Sequence, residues 1–115
     1  MSNDIFKTLG VVDTMENFLS RIRPPEHYRP KLDIGYTIEG QSVYVSEIRP
    51  QWDQPEIIRA YPIAKATFIK AKNHWKVYWI RADLKWYSYT PKPTVKTISA
   101  FTKLIEEDTH HCFWG

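Results

Sequence analysis

The chain has 115 residues, of which 43% are hydrophobic and 15% aromatic, and its formal net charge is +3. This length fits one domain, residues 1–115, with one hydrophobic core. No apolar run approaches the roughly 18 residues that a membrane span requires, and the N-terminus lacks the pattern of a signal peptide. The one cysteine, Cys112, excludes an intramolecular disulfide and favours a reducing, cytoplasmic setting.

The first predicted element is a helix that ends at Pro24-Pro25. Apolar residues recur at three- and four-residue spacing and predict one buried stripe, made of Ile5, Leu9, Val12, Met15, Leu19 and Ile22. Gly10 interrupts this stripe and favours two helical pieces, with Asp4 capping the first and Asp13 the second.

A β-hairpin is predicted next, because apolar residues alternate with polar or small ones from Leu32 to Ile38. Gly40 stands at the first central position of the turn, which favours type II′ geometry. The return strand then runs from Val43 to Arg49, and Ile38 faces Val43.

Three further strands complete the predicted sheet. The segment from Pro50 to Pro62 is predicted to be a loop with a short helical turn at Glu56–Ala60. A second hairpin follows, with strands at Ile63–Ala71 and His74–Arg81, and a fifth strand is predicted at Lys85–Tyr89.

The last predicted element is a helix from Ile98 to Asp108, capped by Thr97. Its predicted buried stripe is Ile98, Phe101, Leu104 and Ile105. The aromatic tail Phe113-Trp114 is expected to fold back onto the core, against the first hairpin. The order of elements predicts an α+β fold, a single antiparallel sheet of about five strands flanked by an N-terminal and a C-terminal helix.

Alternation along the second hairpin and fifth strand sorts the side chains into two faces. The face predicted to meet the helices carries Ala66, Phe68, Trp75, Val77, Trp79 and Trp86. The opposite face carries Lys65, Thr67, Lys76, Tyr78, Lys85, Tyr87 and Tyr89. A slip of one residue in the turn at 82–84 would move Trp86 to this second face.

The second face suggests a non-enzymatic binding module for nucleic acid, as a platform for single strands, or for another polyanion. From Ile63 to Lys96 the chain has eight Lys or Arg residues against one acidic residue, Asp83. Bases stack on aromatic rings while cations neutralise phosphates. The predicted contacts are Lys65, Lys76, Tyr78, Arg81, Lys85, Tyr87 and Tyr89. Two alternatives stay open: a protein partner or second copy of the chain on the same face, and a passive solvated surface.

Two weaker candidates concern chemistry. Asp33, Glu47 and Arg49, at the open end of the first hairpin, resemble the core of a divalent-metal nuclease superfamily, although the hairpin register puts Asp33 on the opposite face and favours a surface salt-bridge cluster. The tail segment His110–Cys112 has no second ligand cluster to complete a metal site, and a reactive thiolate at Cys112 has no supporting motif. No cofactor motif is present, so neither metal nor cofactor is predicted.

Five phrases in order resemble one known family. They are RPKLDIGY, EIRP, AKAT, RADLKW and CFWG, within a match from about residue 15 to the end. The chain is similar to a family of small bacterial proteins known only as a domain of unknown function, and it departs from the smooth first helix of that family at Thr8–Thr14. The resemblance implies a single-domain bacterial, cytoplasmic protein, and it transfers no activity, cofactor or catalytic residue.

Overall fold

The computed structural model describes Phe6 and residues 9–114. Within that part of the chain the helices are α1, Val11–Ile22, and α2, Ile98–Glu107. The strands, in chain order, are β1 Asp33–Glu39, β2 Ser42–Pro50, β3 Ile58–Ile69, β4 His74–Ile80, β5 Trp86–Ser88 and β6 Thr94–Val95.

These strands form one antiparallel sheet in the order β1-β2-β3-β4-β5. The two-residue strand β6 pairs with β4 at Trp75 and Lys76, and β5 pairs with β4 further along, at Tyr78 to Ile80. The last edge of the sheet is therefore shared end to end by two short strands. The α+β prediction is confirmed.

Helix α1 begins one residue after Gly10, which has a φ of +67° that an L-residue rarely adopts. The predicted break at this glycine is confirmed, but Asp13 lies in the first turn rather than at the cap, and no side chain caps the helix. The stripe is also rotated from the prediction, because Val11 is buried while Val12 is 51% exposed. Asp4 and Ile5 lie outside the described residues.

The first hairpin has the predicted register, with Ile38 opposite Val43. Beyond it, β3 begins at Ile58, so the predicted helical turn at Glu56–Ala60 is wrong. A β-bulge shifts the pairing of β2 with β3 at Val45 and Ser46, next to Pro62. Proline cannot donate to a ladder, and a bulge is one of the few places in a sheet that tolerates it.

The second hairpin keeps the predicted faces, but its pairing is displaced by two residues from the register that a turn at Lys72-Asn73 predicts, in which Phe68 faces Val77. Phe68 pairs with Trp75 and Ala66 with Val77, because a 3₁₀ turn at Lys70–Lys72 ends β3 early. A displacement by two preserves which side chains face the core, since the side-chain period of a strand is two.

Helix α2 is capped as predicted, since the Thr97 hydroxyl accepts from the Ala100 N–H at 3.1 Å. After the helix the chain turns back. The carboxylate of Asp108 accepts from the backbone N–H of Phe113 and of Trp114, each at 3.0 Å. Phe113 thereby enters the core, with its ring centre 4.8 Å from that of Tyr89.

The core lies between the helices and one face of the sheet. It contains the buried side chains of both helices and of the inward face of β2, β3 and β4, among them Met15, Phe18, Val43, Val45, Ala64, Ala66, Phe68, Trp75, Val77, Phe101 and Ile105. No helix in the described part of the chain is long and apolar enough to cross a membrane.

Candidate binding face of the sheet

The face of the sheet that points away from the helices, here called the open face, gathers aromatic side chains around one lysine. Tyr44 on β2 pairs with Lys65 on β3, and Lys65 pairs with Tyr78 on β4. Trp86 on β5 pairs with Ile80, two residues along from Tyr78. Paired residues share a face, so these side chains all project to the open side.

The Lys65 ammonium lies inside this group. Its Nζ is 4.6 Å from the ring centre of Tyr78, 5.0 Å from that of Trp86 and 5.9 Å from that of Tyr44. Tyr44 and Trp86 meet edge to face, with ring centres 5.9 Å apart. We call these three rings the aromatic box. Cations over aromatic faces are attracted by the ring quadrupole, which explains why the lysine stem is drawn into the box.

Burial among the rings lowers the pKa of Lys65 below its ordinary value, because desolvation disfavours the charged form. The ion pairs of the described residues all involve arginines, so no carboxylate neutralises Lys65. The box therefore presents a poorly hydrated cation whose hydrogen-bond donors are available to an acceptor.

The predicted positions of Trp86, Tyr87 and Tyr89 are wrong by one residue. Tyr78 pairs with Ser88 rather than Tyr87, so Trp86 moves to the open face. The cause is the turn before β5, where Leu84 adopts a left-handed φ of +64° and the Asp83 carboxylate accepts from the Lys85 N–H.

Tyr87 and Tyr89 consequently lie on the side of the helices. The Tyr87 hydroxyl donates to Asp83, which raises the pKa of Tyr87 and lowers that of Asp83. Tyr89 is only 2% exposed and its pKa is raised by desolvation. Its ring is therefore unavailable for stacking with a ligand.

The cations of the predicted binding face do not all lie on the open face. Lys76 is exposed on the open face, two residues from Tyr78 on β4. Arg81 lies over the rings of Trp79 and Tyr87, at 5.4 and 4.8 Å, on the other side of the sheet. Lys85 is exposed in the turn before β5. Of the predicted contacts, the structure thus brings together Lys65 and Tyr78, with Lys76 beside them.

Sequence reasoning missed Tyr44. Its place beside Lys65 depends on how the first hairpin pairs with β3, and the loop between them does not fix that register. The strict alternation of β2 was the available signal, because it already put Tyr44 on the side opposite Val43 and Val45.

The three candidate nuclease residues are not brought together. Asp33 pairs with Ile48, which puts it on the face opposite Glu47 and Arg49. Its carboxylate receives two hydrogen bonds of 2.7 Å from Arg23, and these lower the pKa of Asp33. Glu47 is 3.5 Å from Arg49. Each carboxylate therefore has a structural partner.

The tail offers no metal site in the described residues, where no group of three His, Cys, Asp or Glu side chains could hold an ion. Burial, followed by the nearby Asp108, raises the pKa of the Cys112 thiol. A raised pKa lowers the fraction of thiolate, so this environment works against a reactive cysteine.

Comparison with known proteins gives one result. No curated protein and no solved structure matches the chain. A family model described as "Domain of unknown function (DUF3024)" matches residues 6–115. The match starts earlier than the resemblance in the sequence indicated, and it includes the interrupted first helix. The chain belongs to this family.

Proposed function

We propose that this domain binds single-stranded nucleic acid, or a similar aromatic polyanion, on the open face of its sheet. The observation that carries the proposal is the aromatic box, three rings around one cation that forms no ion pair with a carboxylate of the described residues. Stacked bases and backbone phosphates need these two kinds of group at short spacing.

The contacts divide by chemistry. The partly buried rings of Tyr44, Tyr78 and Trp86 offer faces or edges for a base. Lys65 donates to a phosphate or base oxygen. Lys76, about 7 Å along β4 from Tyr78, donates to the next phosphate. Arg81 and Lys85 add charge at the turn before β5. Tyr87 and Tyr89 have no part in this revised surface.

Fluorescence anisotropy of labelled single-stranded RNA and DNA, at about 50 and 200 mM salt, tests the proposal. We expect micromolar binding that weakens strongly with salt, because counterions are released when lysines meet phosphates. Binding that is absent at the lower salt concentration would reject the proposal.

The variant Trp86→Ala tests the box itself. Loss of one stacking ring is expected to weaken binding by about 5- to 150-fold, since base–aromatic stacking contributes ~1–3 kcal/mol per base. Trp52→Ala is the matched control, because Trp52 is 90% exposed in the loop between β2 and β3. Equal affinities of the two variants, with both still folded by circular dichroism, would contradict a role for the box.

A second candidate is a homodimer or protein partner on the same face, and the apolar side chains there favour it. Ile48, Ile58 and Ile80 point to the open side, and Ile58 is 55% exposed. An interface of this kind predicts a mass that rises with concentration and depends little on salt. Sedimentation velocity over a wide concentration range distinguishes it, because a monomer throughout argues against self-association.

The proposed setting is the bacterial cytoplasm. The resemblance of the five sequence phrases to a bacterial family and the single cysteine support it. Fractionation of cells that express the tagged protein tests this setting, and recovery in a membrane or extracellular fraction would contradict it.

A further inference from the structure

A depression open to solvent lies where β4, β6 and the first turn of α2 meet. Its volume is about 360 Å³. The described residues that line it are His74, Lys92, Thr94, Val95, Lys96 and Ala100, and they include no carboxylate. The wall therefore offers two ammonium groups, a hydroxyl and an imidazole.

The surroundings add positive charge. Lys76 pairs with Thr94, and the 3₁₀ turn at Lys70–Lys72 immediately precedes β4. The ion pairs of the described residues involve none of these lysines. By contrast, Arg21 and Arg23 near the end of α1 are neutralised by Glu106 and Asp33. The depression thus lies in a region of uncompensated positive charge, which attracts anions.

His74 supplies a second observation. Its Nε2 atom is buried and has no hydrogen-bond partner in the described part of the chain. A buried polar atom without a partner costs free energy. A rotation of the imidazole towards an acceptor in the depression therefore breaks no Nε2 hydrogen bond of the described chain.

We propose that this depression binds a phosphate group. The ammonium groups of Lys92 and Lys96, the Thr94 hydroxyl and the rotated His74 imidazole supply donors for several oxygens of one tetrahedral anion. A phosphate has enough acceptor oxygens to use them together, whereas a halide makes no directed set of hydrogen bonds.

The proposal does not depend on the aromatic box, because different residues line the two sites. They are nevertheless related in space. His74 and Tyr78 project from the same face of β4, four residues or about 13 Å apart. A strand of nucleic acid can therefore reach the depression with a phosphate while a base contacts the box.

Titration of the ¹⁵N-labelled protein with inorganic phosphate, followed by NMR, tests the proposal. We expect saturable shifts at residues 92–100 and at the His74 side chain, and none with sodium chloride at equal ionic strength. In the double variant Lys92→Gln, Lys96→Gln the affinity should fall by about tenfold or more, since two charge-assisted hydrogen bonds are lost.

The matched control is the double variant Lys31→Gln, Arg59→Gln, which removes the same charge from two exposed positions, with Arg59 at the end of β3 opposite the one that pairs with His74. It should bind phosphate as the wild type does. Equal loss of affinity in both double variants, or shifts that chloride reproduces, would overturn the proposal and leave only a diffuse charge effect.

Two oligonucleotides of one sequence, with and without a 5′-phosphate, distinguish the sources of the phosphate. Preference for the phosphorylated strand assigns a terminal phosphomonoester, and equal displacement of inorganic phosphate by both assigns the phosphodiester backbone. If neither displaces it, the phosphate site stands and its ligand is a small molecule. Absence of phosphate binding by the wild type, with intact nucleic-acid binding, would reject this site and leave the open-face proposal in place.

Discussion

Individual residues explain where this chain departs from simple alternation. Leu84 is 80% exposed and has a φ of +64°, in the turn that sets the register of β5. Sequence alternation cannot reveal such a conformation, because leucine normally avoids it. One left-handed residue therefore decided whether Trp86 or Tyr87 would project to the open face.

Replacement of this leucine by glycine should stabilise the fold. The left-handed conformation costs an L-residue about 1–2 kcal/mol, and glycine loses about 0.5–1 kcal/mol more backbone entropy on folding. Leu84→Gly is therefore expected to raise the free energy of unfolding by about 0.5–1 kcal/mol, measured by urea denaturation. Ala82→Gly, in the same turn without a positive φ, should lower it. A loss of stability in both variants would contradict this account.

Asp33 provides a prediction with a defined pH dependence. Its pKa in the folded state is lowered by Arg23 from the ordinary 3.8, so its ionised form stabilises the fold. That contribution is complete above the unfolded pKa and is lost as pH falls through the lower folded value.

Asp33→Asn should therefore be less stable than the wild type at pH 7. The difference should shrink as pH falls below 3.8 and close only below the lower folded-state pKa. Urea midpoints at neutral and acidic pH measure the difference. Glu56→Gln, exposed in a loop, serves as the control and should follow the wild type at both pH values. A constant gap between Asp33→Asn and the wild type would show that charge is not the cause.

At the scale of elements, the tail after α2 behaves as part of the core. Phe113 is 4% exposed, and the Trp114 indole N–H donates to the Ile105 carbonyl at 2.9 Å. The two adjacent aromatic residues Phe113 and Trp114 predicted this docking. The predicted partner was the first hairpin, whereas the ring of Phe113 packs against Tyr89, and that contact requires the tyrosine to face the helices.

Phe113→Ala should lower the free energy of unfolding by about 3–5 kcal/mol, since it leaves a cavity beside Tyr89. Thermal or urea unfolding measures this loss. The exposed Trp52→Ala should change stability by no more than about 0.5 kcal/mol. Similar small effects in both variants would mean that the tail is docked only weakly.

The sequence predicted the pairing register of the first hairpin better than that of the second. The first hairpin was predicted in register because Gly40 fixes a tight turn, and its φ of +59° agrees with that. The second hairpin was displaced because its turn contains a short 3₁₀ segment rather than two residues. The aromatic box required the pairing of β2 with β3 and of β4 with β5, so only one of its three rings, Tyr78, could be placed in advance beside Lys65.

At the scale of the whole molecule, cations with and without a carboxylate partner lie in different parts of the fold. Arginines beside α1 are paired with carboxylates across the fold, whereas the lysines from β3 to β6 have no such partners in the described chain. The +3 of the whole chain understates this difference. Composition shows the basic segment, but which cations are neutralised depends on contacts distant in sequence.

The division of one sheet edge between β5 and β6 has a consequence for association between chains. Two short strands joined through Pro91 and Pro93 cannot template a long intermolecular ladder, because prolines lack the required donors. The opposite edge, β1, is a continuous seven-residue strand whose outer backbone groups face no other strand of the described chain. Strand addition by another polypeptide, in recognition or in aggregation, is therefore directed to β1, where the exposed Glu39 at one end disfavours an acidic segment.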